Sequence, residues 1–119
     1  MPTSPMISRR SLTLCAVLAF AGWAQAQSQP PIRILVGAPA GGTTDTMART
    51  LAQVLGPQLG RTVVVENRPG AGGNLAADAV AKAAPDGNTL LMSFTSHAIN
   101  ASLYPSLPFD PVKDFTPLT

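Results

Sequence analysis

Two glycine-rich loops hold the residues of this sequence that are best suited to binding chemistry. Pro69–Gly73 follows the valine run Val63–Val65, and Gly41–Thr43 comes shortly after the apolar run Ile32–Gly37. Successive glycine N–H groups can point into one space, and a helix that starts there adds a partial positive charge, so such loops commonly bind anions. The same glycines could instead serve only to turn the chain, and for one loop alone both explanations stand.

The loop Pro69–Gly73 does not match the fingerprint of a dinucleotide site. That fingerprint needs a third small residue three positions after the second glycine, and an acidic residue at the end of the next strand. Leu75 occupies the first of these positions, and the next apolar run ends in Leu91–Ser93 without a carboxylate. The lysine of a phosphate-binding P-loop is missing as well. The sequence therefore predicts neither a nucleotide nor any other cofactor.

Ser93, Ser96, His97 and Asp86 raise the alternative of a hydrolase. The sequence lacks a nucleophile elbow of the form G-x-S-x-G, and two adjacent residues such as Ser96 and His97 rarely point at each other. A single loop histidine more often makes hydrogen bonds than acts as a base, although His97 could make binding depend on pH. The sequence thus favours a binding protein over an enzyme. A structural or interaction module stays open as a second alternative.

Alternating strands and helices are predicted to position these loops. The apolar runs Ile32–Gly37, Thr62–Glu66 and Thr89–Ser93 are typical of strands, and the stretches between them are typical of helices. The alternation β-α-β-α-β with short connections predicts an α/β fold with a mainly parallel sheet that is covered on both faces. Ligands of open α/β sheets bind beyond the carboxyl ends of the strands, which is the edge from which both glycine loops leave.

The ends and faces of the two helices are also predicted. The first helix begins with Thr43 or Thr44 as its cap, carries Asp45 in its first turn and stops at Gly60. The second helix runs over Asn74–Ala84. The residues expected to face the sheet are Met47, Leu51, Val54 and Leu55 in the first helix, and Leu75, Ala79, Val80 and Ala83 in the second.

The pattern changes after the third predicted strand. Phe94–Ala98 is predicted to be a polar loop, and Ile99–Tyr104 a short helical turn. Four prolines in the remaining tail, which starts at Pro105, are expected to keep it extended.

The first 26 residues have the features of a secretory signal peptide. Arg9 and Arg10 precede the uncharged apolar run Leu12–Trp23, which is too short to span a membrane, and Ala24–Ala26 is a small-x-small cleavage site. The arginine pair fits both a Sec signal and a twin-arginine signal. Cleavage after residue 26 would also remove Cys15, so the mature protein would have no thiol chemistry.

The charge of the chain resides in this predicted signal. Two of the eight basic residues lie there, so residues 27–119 carry six basic and six acidic side chains and no net charge. A neutral domain without a basic patch is not expected to bind nucleic acid. A mature chain of this length is expected to form one small domain.

A family resemblance is carried by three segments, which are PAGGTTDTMAR, VVVENRPGAGGNLAADAVAKAAPDGNTLL and SHAINASLYPSLPFDPVKDFTPL. Together they resemble the substrate-binding receptors of tripartite tricarboxylate transporters, the Bug family, from about Ile32 to the last residue. The resemblance implies a periplasmic protein with the type II periplasmic-binding-protein fold, whose core is a βαβαβ unit. It further implies binding of a small carboxylate or related metabolite, which is delivered to a membrane permease.

The resemblance also implies where the ligand lies, at the loops after the first and third strands. The Asn67–Gly73 loop then has a mainly structural role, although it borders the cleft. Ala38 stands where the family usually has an aromatic residue, so a stacking or lid contact is not expected there. The implied ligand-binding residues are Pro39, Ala40, Gly41, Gly42, Thr43, Thr44 and Asp45 in the first loop, and Thr95, Ser96, His97 and Ala98 in the second.

The length of the chain departs from the family. Receptors of this family continue well past the point that corresponds to Thr119, into a second lobe and back. Residues 27–119 are therefore expected to be the N-terminal part of the first lobe only, an incomplete fold that is prone to aggregate.

Overall fold

A computed structural model describes residues 29–119. The predicted signal peptide, residues 1–26, lies outside the described residues. Within them the chain forms three strands and three α-helices, and a short 3₁₀ turn, Ala71–Gly73, precedes the second helix. The elements in chain order are β1 (Ile32–Val36), α1 (Thr43–Leu59), β2 (Val63–Asn67), α2 (Asn74–Ala81), β3 (Thr89–Met92) and α3 (Ser96–Leu103).

The three strands form one parallel sheet with the order β2-β1-β3. The register pairs Val36 at the end of β1 with Asn67 of β2 and with Met92 of β3. All three strands therefore end at the same edge, where the loops to α1, α2 and α3 begin. The predicted βαβαβ core with a parallel sheet is confirmed.

Both faces of the central strand are buried. Ile34 and Val36 point to one face, where they pack with Ala48 of α1, and both side chains are almost completely covered. Leu35 points to the opposite face, because side chains alternate along a strand, and it is equally buried. Helix α2 contacts β1 and β3, whereas α1 contacts β1 and β2. The near-continuous apolar run of β1 reflects this position between two layers.

The predicted sheet-facing residues of the helices were partly wrong. Met47 is 60% exposed and Leu75 is 56% exposed, and Leu51 and Val54 are exposed as well. Ala48 of α1 and Ala76 and Ala77 of α2 are buried instead. Small side chains face the sheet because they let a helix approach it closely, so the largest apolar residues do not mark the packed face here. Leu55, Ala79, Val80 and Ala83, which were also expected to face the sheet, are half-buried.

The helix ends follow the prediction at one terminus and differ at others. Gly60 closes α1 in the left-handed conformation at φ 60°, as expected for a glycine stop. The N-cap of α1 is Gly42, and no side chain caps that position, so the predicted caps Thr43 and Thr44 are corrected. Helix α2 ends at Ala81, three residues before the predicted end.

The segment after β3 also differs from the prediction. Helix α3 starts at Ser96, so three residues expected in a polar loop form its first turn. The tail that follows folds back onto this turn, because Phe109 is buried and its ring stacks on that of His97. No helix within residues 29–119 is long and apolar enough to cross a membrane.

Candidate functional site

The candidate site lies at the carboxyl edge of the sheet, where β1 leads into α1. The connecting loop ends at Gly42, and the first hydrogen bond of the helix runs from the Thr46 N–H to the Gly42 carbonyl at 2.9 Å. The N–H groups of Gly42, Thr43, Thr44 and Asp45 precede that bond, so they have no partner within the helix. Gly42 donates to the Pro39 carbonyl over a long 3.4 Å. The remaining donors, with the helix dipole behind them, form an anion-binding arrangement.

Asp45 holds this loop from inside the protein. The residue is 3% exposed, and its Oδ2 accepts hydrogen bonds from the Gly41 N–H at 2.8 Å and from the Arg49 Nε at 3.0 Å. Its Oδ1 accepts from the Asn67 Nδ2 at 2.9 Å. The Arg49 guanidinium, the Gly41 N–H and the Asn67 amide lower the pKa of Asp45 to about 2, so the carboxylate is charged at neutral pH.

A charged carboxylate beside an anion site requires compensation, and Arg49 provides it. Arg49 lies one turn after Asp45 on the same helix, so the two side chains meet at i,i+4 spacing. Protein donors occupy both carboxylate oxygens, so Asp45 binds the loop and its neighbours and does not point at the ligand space beside the helix start. Its role is to shape the loop that was predicted to bind the ligand.

Asn67 completes the network from the neighbouring strand. Its register opposite Val36 places it on the face that α1 covers. Its Nδ2 donates to the Ala38 carbonyl at 3.1 Å in addition to Asp45, and its Oδ1 accepts from the Arg49 Nη2 at 3.1 Å. One side chain of β2 thus contacts both the loop and the helix.

The second glycine loop, Pro69–Gly73, is held by neutral side chains of α3. The Gly72 carbonyl accepts from the Ser96 Oγ at 2.8 Å and from the Asn100 Nδ2 at 3.0 Å. Asn100 is 3% exposed and also donates to the Asn74 Oδ1 at 2.7 Å. The carbonyl side of this loop is therefore packed against protein, in agreement with a mainly structural role for it.

The two glycine loops touch at Gly37 and Gly73. A β-carbon on Gly37 would lie 2.7 Å from the Gly73 Cα, so only glycine fits at this position. A small cavity beside this contact is lined by residues that include Gly37, Ser93, Ser96 and His97. It brings the start of α3 next to the end of β1, whereas the residues from Pro39 to Asp45 are not among its lining residues.

The predicted ligand-binding residues after β3, Thr95–Ala98, differ in their surroundings. Thr95 and Ala98 are exposed, and Ser96 donates to Gly72. The His97 ring stacks on Phe109 at a centroid distance of 6.1 Å and meets the edge of Phe115 at 5.0 Å. Its Nε2 lies 3.2 Å from the Pro111 carbonyl oxygen. His97 therefore anchors the tail to α3, a role that its sequence position did not suggest.

Sequence reasoning missed Asn67, Arg49, Asn74 and Asn100. Asn67, Asn74 and Asn100 contact residues that are distant in sequence, whereas Arg49 pairs with Asp45 one turn away on the same helix. Two signals were available in the sequence: the i,i+4 spacing of Asp45 and Arg49, and Asn67 as a polar amide at the end of a valine-rich strand. Within the part of the chain that the structure describes, no group of three or more His, Cys, Asp or Glu residues could hold a metal ion.

Comparisons with known proteins agree with this geometry. The profile of the family described as the tripartite tricarboxylate transporter family receptor matches residues 47–119. The chain belongs to this family. It is 50% identical to Protein BugT of Bordetella pertussis over 91 residues, which are 75% of this chain and 28% of BugT.

Solved structures show the same fold. The periplasmic binding protein BugD matches with a TM-score of 0.70 and 42% identity, over 75% of this chain and 30% of BugD. MatC from Rhodopseudomonas palustris with bound malate matches with a TM-score of 0.65 and 41% identity, over 73% of this chain and 30% of MatC. The fold is that of part of a periplasmic binding protein, as predicted. This chain spans less than a third of the length of each of these proteins.

Proposed function

We propose that this chain is part of a periplasmic solute-binding receptor that takes up a small carboxylate or related metabolite and delivers it to the permease subunits of a tripartite tricarboxylate transporter. Membership of the receptor family supports the role, and the malate bound to the similar protein MatC supports the ligand class. Residues 1–26 are proposed to direct export and to be cleaved, and residues 27–119 to form the first part of one lobe. The chain is proposed to have no catalytic activity.

One observation carries the proposal. At the start of α1, the N–H groups of Thr43, Thr44 and Asp45 lie outside the helical hydrogen bonds, while the Asp45 carboxylate is buried and paired with Arg49. An anion at this helix end gains from the donors and from the dipole. It does not meet an unpaired negative charge, because the protein itself neutralises Asp45.

The remaining predicted site residues have supporting roles in this proposal. Pro39, Ala40 and Gly41 shape the approach to the helix end, and Thr95 and Ala98 are exposed at the neighbouring loop. Ser96 and His97 border the cavity beside Gly37. We place them at the edge of the ligand space and assign the main carboxylate contacts to the first loop.

The test is a substitution at the helix end. A β-carbon on Gly42 would meet only the Pro39 carbonyl oxygen, at 3.4 Å, and the φ of −76° is open to any residue. Gly42→Val is therefore expected to fold, while its side chain blocks the approach to the N–H groups. Calorimetric titration with malate and with succinate should show binding weakened by about 1–3 kcal/mol, the cost of a hydrogen bond left unmade.

Thr50→Val is the matched control, since it places the same side chain on the exposed surface of α1 two turns from the helix start. It should bind both dicarboxylates as the parent does. Equal binding by Gly42→Val and the parent would remove the first loop from the site. A parent chain that binds neither compound would favour a structural module, and hydrolysis of carboxylate esters by the parent would favour an enzyme.

A further inference from the structure

Asn67 makes three side-chain hydrogen bonds that tie three parts of the molecule together. It donates to Ala38 at the start of the loop before α1 and to Asp45 in the first turn of α1, and it accepts from Arg49 one turn further on. Its own backbone belongs to β2. The loop before α1 and the strand β2 are far apart in sequence, so only the folded chain brings the Asn67 amide to the loop.

We propose that Asn67 is a positioning residue for the carboxylate site, which it serves by holding the loop before α1 in its binding conformation. This role rests on the proposed function in so far as the loop binds a ligand. Asn67 does not touch the ligand in this arrangement. It acts through Ala38 at the start of the loop and, by way of Asp45, through Gly41 near its end.

The three contacts require a carboxamide. The Asn67 side chain donates two hydrogen bonds, to a backbone carbonyl and to a carboxylate, and its own oxygen accepts one from a guanidinium. An aspartate at this position would have the same shape, but it has no N–H to donate and would place a negative charge beside that of Asp45. An alanine would remove all three contacts without adding a charge. The residue type at position 67 thus follows from the hydrogen-bonding groups that surround it.

The geometry of the sheet explains why the amide comes from β2. The parallel register sets Asn67 opposite Val36, the last residue of β1, and its side chain is on the face that α1 covers. The loop leaves β1 immediately afterwards and has to turn back into α1. A polar side chain at the end of the adjacent strand is the nearest rigid support for that turn, and rigid support is what keeps binding donors in place.

The first measurement does not need a ligand. In the ¹⁵N-labelled full chain, the Gly41 amide proton should exchange with solvent roughly three- to tenfold faster in Asn67→Asp and in Asn67→Ala than in the parent, the factor expected for one net hydrogen bond. The amides of Ile34 and Leu35 in β1 should keep their protection. Asn88→Asp is the matched control, because it makes the same change at the opposite edge of the sheet and keeps the oxygen that accepts from Arg61.

The second measurement is the affinity for malate. Both Asn67 variants should bind it roughly three- to tenfold more weakly, and Asn88→Asp should bind it as the parent does. A loss confined to Asn67→Asp would show charge repulsion alone and would overturn the positioning role. Faster Gly41 exchange with unchanged malate affinity would overturn it as well. If the Asn67 variants do not fold, Arg49→Gln, which changes a half-exposed side chain, should give the same effects at smaller size.

These two measurements separate the two proposals. If the parent chain does not bind malate, the proposed function fails for this ligand, while the exchange rate of Gly41 still decides whether Asn67 holds the loop. Unchanged Gly41 exchange in both Asn67 variants, or in Arg49→Gln where those do not fold, would reject the positioning role whatever the parent binds.

Discussion

The two glycine loops at the carboxyl edge of the sheet are similar in composition, but different chemistry holds them. The loop before α1 is held by a buried carboxylate, a guanidinium and an amide, which are Asp45, Arg49 and Asn67. The loop before α2 is held by neutral groups of α3, which are Ser96 and Asn100. In the first loop the contacts leave the N–H groups of the helix start available, whereas in the second they occupy a carbonyl against protein.

The difference shows that glycine content alone does not identify a binding loop. The groups that support the loop decide which of its backbone atoms stay available to a ligand. Charged support is strong but depends on pH and on complete pairing, because an unpaired buried charge is costly. Neutral support from amides is independent of pH over the physiological range. The comparison therefore leads to predictions that treat the two loops differently.

The largest effect is expected where the two loops touch. Gly37→Ala would place a β-carbon 2.7 Å from the Gly73 Cα, and a backbone atom cannot move aside as a flexible side chain can. The expected loss is about 3 kcal/mol of unfolding free energy, at the upper end of the usual range for overpacking. Urea denaturation followed by circular dichroism measures it. Gly87→Ala, at an open turn with φ 75°, is the control and should cost only the strain of its left-handed backbone, about 1 kcal/mol.

The second loop should respond to the loss of its amide support. Asn100→Ala leaves the Gly72 carbonyl with Ser96 alone and leaves the Asn74 Oδ1 without the donor that Asn100 provides. We expect a loss of about 2 kcal/mol of unfolding free energy, the cost of buried polar groups left unsatisfied. The Gly41 amide should keep its exchange rate. Equal disturbance of both loops would show that they are one unit and would break the comparison.

The features that nearby residues determine could be predicted from the sequence, whereas the features that depend on tertiary packing could not. The βαβαβ order and the Gly60 stop were predicted, because strand runs and helix stops are set by nearby residues. The packed face of α1 was predicted wrongly, since the large side chain Met47 points outward and the small Ala48 packs on the sheet. That choice depends on how closely the helix approaches the sheet, which no single segment determines.

The candidate site likewise has one part that the sequence predicts and another that only the fold reveals. The glycine turn before α1 is visible in the sequence because all its parts are adjacent. The support from Asn67 is not, since it depends on a strand register that brings residue 67 beside residue 36. The contacts of His97 with Phe109 and Phe115 depend on a tail that folds back, whereas its prolines alone predicted an extended segment.

The charged support of the first loop should make it sensitive to acid. Arg49, Gly41 and Asn67 lower the pKa of Asp45 to about 2, below the value of about 4 expected in the unfolded chain. A lowered pKa stabilises the folded state above the unfolded pKa, and this contribution is lost as the pH falls from about 4 to 2. Asp45→Asn should therefore differ most from the parent at pH 5 and above, and the difference should shrink towards pH 2.

Denaturation curves at several pH values check this expectation. Glu66→Gln is a suitable comparison, because Arg33 also lowers the pKa of Glu66 by hydrogen bonding, but its side chain points to the opposite face of the sheet from that of Asn67. In the same pH series, the protection factor of the Gly41 amide, which is its intrinsic exchange rate divided by its observed rate, should fall as the pH drops from about 4 to 2. An Asp45→Asn difference that stays constant from pH 7 to pH 2 would contradict charged support of the first loop.

The smallest effect is expected for an ion pair that resembles the first-loop pair in spacing alone. Asp78 of α2 and Lys82, the residue that caps the end of this helix, are also four residues apart, and their charged atoms lie 2.7 Å apart. The lysine side chain is 65% exposed, and the Asp78 side chain is 27% exposed, against 4% for Asp45 in the Arg49 pair. An exposed helix pair contributes about 0.3–0.5 kcal/mol, because water and salt screen the charges. Lys82→Ala should therefore change the unfolding free energy by less than about 0.5 kcal/mol, and raising the salt concentration should abolish the change.

Arg49→Ala should cost more and should keep its effect in salt, since it leaves the buried partner short of a donor. If both substitutions proved equally mild, burial of Asp45 would not be what distinguishes the first loop, and its conformation would have to depend on the backbone alone.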